Sequence, residues 1–229
     1  MKQLFLDRRE AGRKLAGILA KVAPIPDAVV LALPRGGVPV GLEVARALGA
    51  PLDVVIVRKL GHPWQPELAM GAIASGGVRV MNPEVVAAGD ISEADIAAVL
   101  ARETRELERR ERAYRGDRPP VPVQGRTVVL VDDGVATGST MLAAVRALRS
   151  LGPASIIVAV PVAPADTLSR LRGEADAVAC VATPEPFLGI GLWYQRFSQL
   201  SDAEVHELLD ARAGEMARSA RAPFDSANV

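Results

Sequence analysis

Cysteine is nearly missing from this chain of 229 residues: Cys180 stands alone, which rules out an intramolecular disulfide and a disulfide-stapled secreted framework. An excess of one charge is missing too. The 27 Lys and Arg balance 27 Asp and Glu, so nothing draws the chain as a whole to nucleic acid or to an anionic membrane. No apolar run approaches the roughly 20 residues of a membrane-spanning helix. The opening MKQLFLDRREAGRKLAGILA meets Asp7, Arg8, Arg9 and Glu10 before a signal-like core can form. A cytoplasmic protein with neither nucleic-acid nor membrane partner is therefore expected. His, Cys and carboxylates nowhere fall at zinc spacing. Aromatics are scarce at 3%, so the places where they gather carry information.

What the chain has in quantity is apolar residues, 49% of the total, enough for the core of one domain. That domain is expected over residues 1–213, with a small appended lobe, followed by an Ala/Arg/Ser-rich flexible tail at 214–229. Short apolar runs at 28–33, 52–57, 128–131, 155–160 and 177–181 alternate with helical patterns at 38–48, 140–151 and 164–172. This alternation predicts an α/β fold with a parallel sheet between helices. Ala11, Leu15, Ile18 and Leu19 predict an amphipathic first helix from about Asp7. Between 60 and 124 the connection is too long for a plain loop. Runs at 70–74 and 78–81 flank Ser75-Gly76-Gly77 and predict a hairpin. Ser92 with Asp95 then resembles a capping box opening a helix to about Tyr114. The interleaved Glu103, Arg105, Glu106, Glu108, Arg109 and Arg110 make that helix a solvated, ion-paired one rather than an RNA-binding face.

The most informative stretch is VVLVDDGVATGST, 128–140. It reads as a buried strand, two carboxylates at its carboxyl end (Asp132, Asp133), a turn of small and hydroxylated residues, and a helix. Gly134, Thr137, Gly138, Ser139 and Thr140 let N–H groups and hydroxyls converge on an anion at the helix N-terminus. The adjacent acids can accept hydrogen bonds from vicinal hydroxyls or reach a metal through water. A Walker loop is excluded because Ser139, not lysine, follows Gly138, and no Gly-x-Gly-x-x-Gly fingerprint is present. A plain tight turn would explain the glycines but not two acids ending an apolar strand. The first strand ends in Leu33-Pro34-Arg35-Gly36-Gly37, where glycines allow close approach and Arg35 offers a planar fork for phosphate oxygens. The second ends in Arg58-Lys59, two cations costly to bury unless an anion meets them, followed by the polar, Gly- and Pro-bearing run Leu60 to Glu67.

These residues resemble the ribose-phosphate loop of the type I phosphoribosyltransferases, a hydrophobic run followed by Asp-Asp-x-x-x-Thr-Gly-Ser/Gly-Thr. The resemblance implies a phosphoribosyltransferase-like central parallel sheet flanked by helices, with a small C-terminal hood lobe at about 183–200. It implies phosphoribosyl pyrophosphate and a small nitrogen acceptor as ligands, pyrophosphate release, and Mg²⁺ as cofactor; a homodimer is within the expectation. Asp132 and Asp133 would hold the ribose and reach the metal only through substrate or water. Ala136, Thr137, Gly138, Ser139 and Thr140 would wrap the 5-phosphate. Arg35, Gly36 and Gly37 would take the pyrophosphate, often around a non-proline cis peptide, with Arg35–Gly36 as the bond in question. The run after the second strand resembles the family's catalytic lid, which gives Arg58 or Lys59 to the leaving group and makes Glu67 a candidate proton handler. Phe187, Trp193 and Tyr194 fall in the hood, where aromatic faces suit a flat acceptor or the packing of the lobe. Members that use 6-oxopurines carry an acid where this chain has Ala136, which weighs against hypoxanthine and guanine. Adenine, uracil and other amines stay open. A regulator of the same fold that binds phosphoribosyl pyrophosphate or a nucleotide with little catalysis is the alternative.

Overall fold

A computed structural model describes residues 3–22 and 25–221. Apolar strands β1 (Ala28–Ala32), β2 (Leu52–Val54), β6 (Thr127–Val131), β7 (Ser155–Val162) and β8 (Ala177–Ala182) form a five-stranded sheet in the order β2-β1-β6-β7-β8. All its pairings are parallel, with Val29 opposite Val128 and Val30 opposite Val129. Helices α1 (Arg8–Val22), α2 (Gly37–Leu48), α5 (Ser139–Arg149), α6 (Ala165–Arg172) and α7 (Asp202–Arg221) flank it. Alternation along the strands sorts the two faces. Val30, Ala32, Val129 and Val131 share a core with Leu15 and Leu19 of α1 and Val40 and Val44 of α2. Val29, Leu31, Val128 and Leu130 share the other with Met141, Val145 and Leu148 of α5 and Leu168 and Leu171 of α6.

Because β1 and β6 are neighbours although far apart in sequence, the helices that follow them leave to opposite faces. Their carboxyl ends therefore open a crevice at a topological switch point, where ligands of open α/β sheets bind. Leu33 N–H donates to the Val131 carbonyl at 2.9 Å and holds the two ends together.

The excursion between β2 and β6 forms a second, antiparallel sheet of β3 (Val57–Gly61), β4 (Ala69–Ala74) and β5 (Val78–Met81), then α3 (Pro83–Ala88) and α4 (Glu93–Arg115). The expected hairpin is present and gains a third strand. The run expected as one strand over 52–57 divides: Val54 ends the parallel sheet, and at Ile56 the chain exchanges hydrogen bonds with Ser75, at the turn that closes the antiparallel hairpin. An unbroken apolar run cannot show such a change of partner. Only the first residues of the expected lid join β3; the rest forms the connecting loop 62–68, closed by His62 N–H to the Leu68 carbonyl at 2.8 Å.

A helix runs into the segment expected as a tail. The helix α7 continues to Arg221, because Ala, Arg, Glu and Met are strong helix formers and Val205 and Leu209 supply a buried face. Buried Arg212 donates to the Ala45 and Ala50 carbonyls, satisfying the end of α2. The rest of that tail, 222–229, lies outside the described residues. Among the described residues, no helix is long and apolar enough to cross a membrane.

Candidate functional site

The crevice between β1 and β6 is built from one turn whose two glycines press against two acids. Gly36 has φ −62° and ψ −34°, ordinary helical angles, so it serves by lacking a side chain rather than by conformational freedom. A Cβ there would lie 2.0 Å from Asp133 Oδ2, and one on Gly37 would lie 2.9 Å from Asp132 Cα. The sequence-separated segments Arg35-Gly36-Gly37 and Asp132-Asp133 are thus in direct contact. The cis peptide joins Pro34 to Arg35, one bond earlier than the Arg35–Gly36 bond in question.

The two acids differ in surroundings. Asp132 is half-buried, and its Oδ1 accepts the Asp133 N–H at 2.8 Å. Burial and the neighbouring Asp133 charge push its carboxyl well above the usual range. Asp133 is buried, with Oδ2 on the Arg8 guanidinium at 2.8 Å; burial raises its carboxyl although Arg8 pulls it down. Arg8 is the residue that sequence reasoning missed. It lies in the charged run 7–10, and nothing in that run distinguishes the member that points inward.

After the acids, Val135 N–H bonds to the Val162 carbonyl and the chain turns through Gly138, whose φ of 80° favours glycine. Ala136 and Thr137 turn their carbonyls toward α6, where the Thr167 hydroxyl and Arg170 donate to them at 2.7 and 2.8 Å. With those carbonyls held, the Ala136, Thr137 and Gly138 amides have no protein acceptor among the described residues. Ser139 and Thr140, exposed, add hydroxyls at the N-terminus of α5, so the loop is a ready anion cradle.

Beside the first turn, Pro34, Arg35, Arg109, Arg110, Tyr114 and Asp202 line a cavity of about 410 Å³. Arg35 is largely exposed there, loosely paired with Asp202 at 3.7 Å. Arg58 and Lys59, of which one or the other was expected at a leaving group, point apart because successive strand residues face opposite ways. Arg58 is bonded to Glu103 of α4 and Lys59 to Glu67, at 3.3 Å, across the 62–68 loop. Burial would raise the Glu103 carboxyl, but Arg102 and Arg58 outweigh it and hold it below the usual range. Arg58 thereby has its countercharge in Glu103. Arg58→Ala is expected to cost about 2 kcal/mol by leaving the buried Glu103 short of a partner, lowering the melting temperature by roughly 4–8 °C. Lys59→Ala, breaking an exposed pair, is expected to leave it within about 2 °C; thermal denaturation of both variants checks this.

Of the two uses open to the hood aromatics, Trp193 and Tyr194 take the packing one: they are buried with Phe5 and Ala11, and Tyr194 pairs with Phe5 in an isolated parallel bridge. Hydrophobic contact with the N-terminal segment outweighs exposure of such large rings. The Tyr194 hydroxyl donates to the Asp133 carbonyl, and burial pushes its ionisation upward. Phe187 is half-buried, 6.4 Å from the Trp193 ring. The most exposed aromatic among the described residues is Trp64, 65% exposed on the 62–68 loop.

Among the described residues, no group of three or more His, Cys, Asp or Glu could by itself hold a metal ion. Asp132 and Asp133 offer two carboxylates at one place, a donor set that suits a hard cation whose remaining ligands come from substrate or water. Chemically, the crevice offers acceptors for hydroxyls on one side and N–H and hydroxyl donors for an anion on the other.

Comparison with known proteins agrees with this geometry. Residues 6–185 match the family model for the phosphoribosyl transferase domain. A Mycobacterium tuberculosis H37Rv protein whose name provisionally reads phosphoribosyl transferase is 46% identical over 233 aligned residues, 99% of this chain and 52% of that protein. The chain thus spans about half the length of the curated relatives it matches. The crystal structure of TT1426 from Thermus thermophilus superposes with a TM-score of 0.82 at 42% identity, covering 91% of this chain and 98% of the other. A ribose-phosphate pyrophosphokinase of Methanopyrus kandleri is 44% identical over 69 residues, 28% of this chain and 24% of that protein.

Proposed function

The chain belongs to the phosphoribosyl transferase domain family, and from that premise we propose that it moves the 5-phosphoribosyl group of phosphoribosyl pyrophosphate to a nitrogen acceptor. One observation carries the reading: the Asp132-Asp133 strand end and the Gly36-Gly37 turn touch, with an anion cradle of free amides continuing from the acids. A phosphorylated, activated sugar has hydroxyls, phosphate and pyrophosphate in that arrangement.

In the reaction the bond from C1 to the pyrophosphate oxygen breaks, a C1–N bond forms, and the acceptor nitrogen gives up a proton. Bond breaking leads, so the ring gains oxocarbenium character. Asp132 and the outward oxygen of Asp133 hold the hydroxyls and favour positive charge on the ring. The loop 136–140 fixes the 5-phosphate, so C1 is placed by two anchors. Arg35 beside the Gly36-Gly37 turn and Lys59 on the loop-facing side of β3 are the cations for the departing pyrophosphate, with Glu67 adjacent to Lys59 as the candidate proton handler. Mg²⁺ carried mainly by substrate oxygens would supply further neutralisation of the pyrophosphate. Ala136 has no group to meet a purine N7, which directs attention to adenine, pyrimidines or other amines. Phe187 and exposed Trp64 are the aromatic surfaces left to an acceptor.

Pyrophosphate release measured from phosphoribosyl pyrophosphate and Mg²⁺ with a panel of nucleobases and amines tests the proposal. Release with at least one acceptor, dependent on that acceptor, is expected. Calorimetric binding of phosphoribosyl pyrophosphate with no turnover for any acceptor would make the chain a binding regulator instead.

A further inference from the structure

We infer that Arg8, on the first turn of α1, is a positioning residue for the ribose grip: it fixes Asp133 with one carboxylate oxygen held by protein and the other left for the sugar. The inference rests on the phosphoribosyl reading above. Arg8 Nε donates to Asp133 Oδ2 at 2.8 Å and Nη1 donates to the Ser198 carbonyl, also at 2.8 Å. Its guanidinium carbon lies 3.9 Å from the centre of the Phe197 ring. The side chain is only 13% exposed. A planar fork stacked on an aromatic face can satisfy these three neighbours together, whereas a lysine ammonium can replace the charge but not the plane.

Asp133 is constrained from its other sides as well. Its carbonyl accepts the Tyr194 hydroxyl, and its Oδ2 occupies the space beside Gly36. Gln195 and Arg196 donate their N–H groups to the Phe5 and Leu6 carbonyls, which fastens the N-terminal segment to the hood segment that carries Phe197. Oδ1 accepts from no N–H group among the described residues and has only the Asp132 carboxyl beside the pair, so it is the oxygen available to a hydroxyl. Without Arg8, two neighbouring carboxylates would face each other with no countercharge in a buried place. Asp133 would then rotate or take up a proton, and either change removes an acceptor aimed at the sugar. The N-terminal helix, separated from the acidic motif by 125 residues, thereby becomes part of the sugar site.

Titration calorimetry with two probes tests this: ribose 5-phosphate, which uses both acids and cradle, and inorganic phosphate, which uses the cradle alone. Arg8→Gln is expected to weaken ribose 5-phosphate at least about tenfold while leaving phosphate within about twofold, as loss of a charge-assisted bond that acts only at the sugar would. Arg8→Lys should recover part of the loss, and Arg9→Gln, at the exposed neighbouring position, should change neither probe. In an Asp133→Asn background, Arg8→Gln should add no further loss. Phe197→Leu, which removes the ring but keeps the ion pair, is the milder variant should Arg8→Gln not fold; about a two- to fivefold weakening confined to ribose 5-phosphate is expected. Equal loss for both probes, or none for either, overturns the inference. Wild-type protein that binds ribose 5-phosphate no tighter than phosphate overturns the phosphoribosyl reading itself.

Discussion

Gly36→Ala is expected to weaken ribose 5-phosphate binding by at least about 2 kcal/mol, roughly thirty-fold. The added methyl would sit 2.0 Å from Asp133 Oδ2 and 2.6 Å from its Cγ. Those atoms cannot simply retreat, because Arg8 and Tyr194 hold the residue from behind. Either the acid or the turn must therefore move, and each change opens the crevice at the place where sugar and pyrophosphate meet. Backbone strain contributes nothing, since Gly36 already has helical angles that alanine adopts readily. Gly17 in α1 supplies the control: a Cβ there meets nothing within 4 Å. Gly17→Ala should raise stability by about 0.5–1 kcal/mol and leave binding unchanged. Calorimetry and thermal denaturation read both variants; ribose 5-phosphate affinity retained in Gly36→Ala would mean that the contact between the two turns is not used.

The two adjacent acids are expected to respond differently to the same change. Asp132→Asn should weaken ribose 5-phosphate binding by about 2 kcal/mol, the scale of lost charge-assisted hydrogen bonds, with no loss of stability. Its carboxyl is raised by burial and by the Asp133 charge, so the folded state holds a proton more tightly than the unfolded chain does. The stability linked to that proton is fully present below about pH 4 and is lost as pH climbs through the raised folded value. Asp132→Asn removes this loss, so its melting temperature should gain on wild type as pH rises from about 4 toward about 8. Asp133→Asn instead removes the countercharge of the half-buried Arg8 and should cost about 2 kcal/mol of stability, a fall of roughly 4–8 °C. Its carboxyl is raised in the same direction, though Arg8 opposes the shift. Melting curves across pH for both variants decide the matter; identical curves would mean that burial does not separate the acids.

Much of the core and half of the site were legible in the chain. The acids could be placed at a strand end because an apolar run must be buried and two carboxylates must stop it. The turn after them could be read as an anion cradle because Gly138 and the hydroxylated residues have few other uses together. Arg58 and Lys59 were read as a pair because they are adjacent, yet adjacency in a strand means opposite faces, and the excursion before β6 determined that Glu103 would take one of them. Trp193 and Tyr194 carry no periodic signal that distinguishes an acceptor platform from the lining of a small core. Arg8 offered no signal at all.

The amino-acid order alone determined which residues must leave water and which local turns could form, because hydrophobic period and backbone permission are properties of neighbours along the chain. Only the tertiary structure decided which charges would meet. Asp133 is served by an arginine 125 positions away, and Gly36 is required by a carboxylate nearly as distant. Such pairings depend on the strand order of the sheet, and strand order is set by the packing of the whole domain rather than by any segment within it.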